Sequence, residues 1–251
     1  GNPVVYDDLT QKNRVTMAQS FQAVTGGKTF TVVPNHLKSK GSCPDDKTSP
    51  EANQGDGQGC WNPTRVTAVQ KLIQWIATNP TKAEKPNYLL VGDMNSYAKE
   101  DPILAFEKAN YKILLNDEKV GQGKSAYSYV FGVASDATGN GGAGNLDHAI
   151  ADANLYPMVK RTFAWHINAD EPTALDYNEE YKTEEQIASF YAPDAFRSSD
   201  HDPVIVDLDL NESSGTTGGH KSSGGSTGLW SLFGLMLLTA SSVLARSKKK
   251  S

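Results

Sequence analysis

A chain of 251 residues with 38% hydrophobic and 21% charged residues has the make-up of a folded globular protein, which excludes a disordered or low-complexity chain. Its formal charge of −5 argues against a passive nucleic-acid binder held by bulk basicity. An acidic protein that handles phosphates needs another source of positive charge, and a bound divalent cation supplies one.

The chain opens on Gly1 rather than Met, shows no signal peptide at its start, and reads as a processed or partial chain. The first predicted strand is Thr29–Val33, followed by VVPNHLKSKG with His36. Cys43 and Cys60 then bracket a polar stretch rich in Gly, Asp and Pro that has no apolar periodicity. Such a loop cannot order itself by burial, and no CxxC or nearby His partner suggests a metal site. A disulfide is therefore expected over two free thiols, contributing about 3 kcal/mol and implying an oxidising, extracytoplasmic setting. Asp45, Asp46 and Asp56 in that loop could hold Ca²⁺, although they read first as solvated turn acids.

Asn62-Pro63 has the form of a helix cap followed by proline at the first helical position. Val66, Val69, Leu72, Ile73 and Ile76 continue it as one apolar face, and Asn79-Pro80 ends the helix. A strand follows at Tyr88–Val91, and Asp101-Pro102 opens a shorter helix in the same way. Further strands are predicted at Leu146–Ile150 and Pro203–Asp209, the latter with Val204, Val206 and Leu208 on one face. Helices interleaved with strands indicate an α/β layered fold over residues 1–210.

Beyond it, residues 211–228 form a Gly/Ser-rich stretch with no apolar residue, expected to be a flexible linker. Residues 229–245 are uncharged and mostly apolar, at the short end for a transmembrane helix, and 246–251 are a basic tail. That order puts the tail on the cytoplasmic side and the folded domain outside. Gly224-Gly225-Ser226, one apolar segment and a basic end resemble the GlyGly-CTERM sorting signal of Gram-negative bacteria. The resemblance implies the membrane and a rhombosortase-type protease as partners, and a secreted or cell-surface protein tethered until processed.

Four segments put ionisable residues at or beside the ends of apolar strands: VVPNHLKSKG (His36), YLLVGDMNS (Asp93, Asn95), GNLDHAIAD (Asp147, His148) and RSSDHDPVIVDL (Asp200, His201, Asp202). Any one alone is as well explained as a turn or cap. Together they hold what metal-assisted phosphodiester hydrolysis requires. One group activates water and another protonates the leaving oxygen, while carboxylates hold a hard cation and an amide positions a phosphate oxygen.

In this order the segments resemble the endonuclease/exonuclease/phosphatase superfamily, which includes the deoxyribonuclease I-like enzymes. With NPTR, YSYVF and WHINADEP the match extends over nearly all of residues 13–209 and is similar to the bacterial extracellular nucleases of that superfamily. The resemblance implies a two-sheet α/β sandwich. It also implies hydrolysis of extracellular DNA, and of RNA as a second substrate, by a monomer using Mg²⁺ or Mn²⁺, with Ca²⁺ a further candidate. His201 would act on the scissile phosphate and Asp147 would orient its ring, with His36 as second histidine. Asp93 and Asn95 would orient or activate water and contact the phosphate and the metal, Asp200 would be a metal ligand, and Asn35, Tyr127 and Tyr129 would contact substrate. His148, His166 and Asp202 are expected to be structural.

The family's metal-binding Glu lies ahead of all these motifs, where this sequence has only Asp7 and Asp8 without an apolar strand context. The first part of the sandwich is missing too, so the isolated chain is expected to bind metal poorly and its intact parent to be the nuclease. Two alternatives stand beside this reading. One is a sphingomyelinase-like phospholipid phosphodiesterase, which would need an aromatic-rich loop that the sequence does not show in its catalytic part. The other is a non-catalytic DNA-binding surface protein.

Overall fold

The computed structural model describes residues 2–9, 12–131 and 142–211. Its main sheet contains β1 (Val4–Tyr6), β2 (Thr16–Phe21), β3 (Phe30–His36), β4 (Tyr88–Asp93), β5 (Lys112–Ile113) and β8 (Asp147–Ala151), in the order β1-β2-β3-β4-β8-β5. β3 and β4 run parallel, joined through helix α1 (Asn62–Ala77), and every other pairing is antiparallel. Two smaller antiparallel pairs are β6 (Tyr129–Phe131) with β7 (Gly142–Gly144), and β9 (Val159–Ala164) with β10 (Val204–Leu208). Helix α2 (Asp101–Lys108) follows β4, and α3 (Glu184–Phe190) lies between β9 and β10.

Side chains alternate across a strand, so each central strand feeds two cores. Val33, Leu90 and Ile150 face the helices, where Ala68, Val69, Leu72 and Ile76 of α1 meet Ile103 and Phe106 of α2. Leu89, Ala149 and Ala151 face the other way, against Val159, Val204, Val206 and Leu208 of β9 and β10. Each buried Leu, Ile or Val contributes roughly 1.5–3 kcal/mol, which makes these two layers the main support of the fold. The expected α/β architecture is present, with β9–β10 as the second layer of strands. Val66 and Ile73 sit half-buried at the flanks of the apolar face expected for α1.

Both helix starts differ from the capping reading. Trp61, in the left-handed region at φ 65°, caps α1 without a side-chain bond, and Asn62 lies inside the helix. Glu51 reaches in from the cysteine loop instead, accepting from the Thr64 N–H at 3.3 Å and its hydroxyl at 2.8 Å. The Asn62 amide donates to Asp101 at 2.9 Å, tying the two helix starts together. Glu100 caps α2, and Asp101 is its first residue.

Cys43 and Cys60 are joined in the expected disulfide. Beneath the loop they close, Arg65 is fully buried and donates to the carbonyls of Lys38 (3.2 Å), Cys60 (2.8 Å) and Gln58 (2.9 Å). Burial pushes its guanidinium pKa down, opposed by Glu100, Glu51 and Asp93. Arg65→Ala would orphan the buried Cys60 acceptor at ~1–3 kcal/mol and the partly buried Lys38 and Gln58 acceptors at less, offset in part by relief of a buried charge. We expect a net loss of about 3 kcal/mol in urea unfolding, with an unchanged midpoint counting against this role.

The chain divides into units 1–212 and 213–251. The linker beyond residue 211, the apolar segment 229–245 and the basic tail 246–251 lie outside the described residues. Among the described residues no helix is long and apolar enough to cross a membrane.

Candidate active site

Register brings three of the expected residues to one edge of the sheet. His36 pairs with Asp93 across β3 and β4, and Asp93 pairs with Asp147 across β4 and β8. Alternation then selects the face. Residues 89, 149 and 151 pack against β9–β10, so Asp93 and Asp147 project to that side. The loop entering β10 delivers His201 to it, with Nδ1 2.6 Å from Asp147 Oδ2. Ionised Asp147 can only accept, so His201 Nδ1 carries the proton and Nε2 is left for a substrate or water.

Asp147 is held from a second direction. Ser128 Oγ donates to Oδ2 at 2.8 Å and accepts the Asp147 N–H at 3.1 Å. Tyr129, next in the chain, packs its ring 4.6 Å from that of His201. Tyr127 faces elsewhere, stacked on His166 at 4.0 Å with its hydroxyl donating to Asp170.

Asp93 takes the Asn95 backbone N–H at 2.7 Å and its amide at 2.9 Å, and the same amide donates to Leu37 O at 3.0 Å. His36 Nε2 lies 3.5 Å from Asp93 Oδ2. Arg14 donates its backbone N–H to His36 O, so its charge stands beside that ring.

These neighbours drive the titrating groups apart. Burial, and then the charge of Asp147, push the Asp93 carboxyl up to about 6. Burial works to lower His201, but the hydrogen bond and charge of Asp147, with Asp93 and Asp200, outweigh it and raise its pKa. His36 is lowered, by burial first and then by Arg14. His201 is thus the stronger base of the two histidines and His36 the weaker.

Other expected residues lie away from this group or at its margin. Asn35 is buried, its amide donates to Val33 O at 2.7 Å, and alternation puts it on the opposite face from His36. Asp200 is exposed, and its charge is felt at Asp93 and His201. His148 is buried, donating from Nε2 to Ser96 O at 2.8 Å. Asp202 accepts the N–H groups of Ile167, Asn168 and Ala169 and pairs with His166 at 2.7 Å. Asn168 in turn donates to His201 O at 2.7 Å, fixing the loop that carries the histidine. Sequence reasoning passed over Ser128, Arg14 and Asn168. Ser128 and Asn168 stand inside motifs already singled out, YSYVF and WHINADEP.

As metal ligands, Asp93, Asn95 and Asp200 offer hard oxygen atoms of the kind Mg²⁺ prefers. Both Asp93 oxygens already accept from Asn95, and among the described residues no three His, Cys, Asp or Glu side chains converge on a metal position. These residues do not by themselves make up a metal site.

No family model and no curated protein matches the chain. Its structure is distantly similar to endonuclease/exonuclease/phosphatase proteins. A family member from Bacteroides vulgatus aligns at 15% identity and TM-score 0.44, covering 79% of this chain and 56% of that one. A mannosyl-6-phosphatase from Bacteroides thetaiotaomicron aligns at 18% and 0.46, covering 78% and 57%. The beta toxin of Staphylococcus aureus aligns at 13% and 0.47, covering 77% and 57%. The chain thus spans little more than half the length of these proteins.

Proposed function

We propose that this chain carries the catalytic pair of a hydrolase that cleaves phosphodiester bonds of extracellular DNA, with RNA as a second substrate. The observation that carries the reading is the His201–Asp147 pair at 2.6 Å, facing Asp93 and His36 on adjoining strand ends. Neutral His201 accepts a proton at Nε2 from the attacking water as its oxygen bonds to phosphorus, and Asp147 steadies the imidazolium that forms. The ester P–O bond breaks, with the leaving oxygen taking a proton from solvent water. Asp93, fixed by Asn95, orients the water, and His36 and Arg14 face the phosphate oxygens. Hydrolysis would require Mg²⁺ or Mn²⁺ to offset the phosphate charge, a requirement that EDTA tests separately. The Cys43–Cys60 disulfide is compatible with an oxidising, extracellular setting.

The pH profile tests this directly. Activity needs His201 neutral and Asp93 ionised, so it falls as pH drops through the His201 pKa, above the ordinary 6.5, and through about 6 for Asp93. Asp147→Asn removes the hydrogen-bonded charge that raises His201 and adds to the burial that raises Asp93, leaving burial to lower His201 against Asp93 and Asp200 alone. We expect its acid limb to move to lower pH and its rate to fall about 10²–10⁴-fold. A limb that stays in place in Asp147→Asn would sink the assignment.

A phospholipid phosphodiesterase remains the second reading because one observation favours it. Contrary to the sequence expectation, the segment before His201 does display aromatics: Trp165, Tyr177, Tyr181, Tyr191 and Phe196 are all more than half exposed. Sphingomyelin hydrolysis with DNA left intact would decide for it.

A further inference from the structure

In a chain of net charge −5, three cations, Lys12, Arg14 and Lys38, gather at one edge of the site without an ion pair among the described residues. Residues 12–14 run beside 36–38, because Arg14 N–H donates to His36 O at 3.2 Å and Lys38 N–H to Asn13 Oδ1 at 2.8 Å. That alignment puts Arg14 next to His36 and Lys12 next to Lys38. Both ammonium groups lie over one indole, Lys12 Nζ at 4.0 Å and Lys38 Nζ at 5.5 Å from the Trp61 ring centroid. Among the described residues none of the three cations forms a salt bridge with a carboxylate, and Lys38 Nζ donates only to Ser39 and Gly41 oxygens. Lys40, by contrast, is neutralised by Glu100.

Two like charges over one ring repel each other, and the fold holds the arrangement rigidly. Trp61 is 8% exposed, caps α1, and donates Nε1–H to Gly41 O at 3.1 Å and Ser42 O at 3.0 Å. The disulfide closes the loop at Cys60, and buried Arg65 holds the Lys38 carbonyl from below. Lys38 has its pKa lowered by burial and then by Lys12 and Arg65, the mark of a cation set among cations. An arriving anion relieves that repulsion, and the aromatic wall limits the water that screens it.

We propose that Lys12 and Lys38, backed by Trp61, bind a backbone phosphate of the nucleic-acid strand next to the one attacked at His201, with Arg14 between the two positions. The site deepens the hydrolase reading and rests on it for its place beside the scissile phosphate, but binding itself requires no cleavage.

The test is anisotropy of a fluorescein-labelled 20-base-pair duplex titrated with the full chain in EDTA across a salt series. It compares the wild type, Lys12→Ala, Lys12→Ala/Lys38→Ala and a control, Lys85→Ala, at the other end of the sheet, with folding checked by circular dichroism. Each phosphate contact contributes about 0.9 to the slope of log K against log salt. The double variant is expected to lose about 2 units of slope and on the order of tenfold in affinity, the exposed Lys12→Ala about half the slope change, and the control nothing. Equal slopes in wild type and double variant would overturn the proposal. So would a wild type that binds phosphatidylserine vesicles but not the duplex. A weakened double variant together with undiminished cleavage by His201→Ala would leave the phosphate site standing and move catalysis away from His201. No cleavage by the folded wild type in Mg²⁺ or Mn²⁺ would remove the hydrolase reading while leaving the phosphate site.

Discussion

His201→Ala is expected to lower phosphodiester hydrolysis by about 10³–10⁴-fold with little change in KM. The size follows from what the residue does in the account. Its Nδ1–H is committed to Asp147 at 2.6 Å, so the free Nε2 is the atom able to take a proton from water. Tyr129 against the ring and Asn168 on the His201 carbonyl hold it in place, and among the described residues no other histidine bonds Asp147. His36 is drawn to Asp93, and its lowered pKa makes it a weaker base. Initial rates on a soluble phosphodiester check this, and a loss below tenfold would assign the proton transfer elsewhere.

Gly92→Ala is expected to destabilise the fold by about 4 kcal/mol or more and to abolish activity. Gly92 has φ +120°, a conformation that L side chains rarely adopt, and an added Cβ would lie 2.1 Å from the Asn35 carbonyl oxygen. That neighbour is backbone of the paired strand, so no side-chain rotation relieves the clash. β3 and β4 would have to separate where His36 and Asp93 are placed side by side. Urea unfolding gives the stability change. A variant of normal stability and rate would show that the close approach of these strands is not needed.

Much of the site was legible in the sequence because it stands at the ends of apolar runs. His36 ends β3, Asp93 ends β4 and Asp147 begins β8, each within a few residues of the predicted strand bounds. What a linear reading could not supply was pairing across long separations. Nothing local to YLLVGD says that its neighbour is DHAIA rather than VIVDL, and that choice puts Asp93 beside Asp147. It also could not supply facing. Asn35 adjoins His36 in sequence, yet alternation turns it into the core while the histidine stays at the surface.

Local signals failed where a distant residue arrived first. Asn62-Pro63 has the chemistry of a cap, but Glu51 and the left-handed Trp61 fill that role and Asn62 turns to Asp101. Elsewhere a signal was present and unread. Thr183 and Gln186 form a reciprocal capping box that starts α3, within a segment that has no strong apolar run to draw attention to it. Ser128 was hidden between two tyrosines that looked more informative, although it is the serine that bonds Asp147.

The most direct test of the central claim is conversion of supercoiled plasmid DNA by the product of the whole reading frame encoding this chain, in Mg²⁺ and then in EDTA. The account predicts nicked and linear DNA in Mg²⁺ and none in EDTA. A folded protein that leaves the plasmid intact in Mg²⁺ or Mn²⁺ would contradict it.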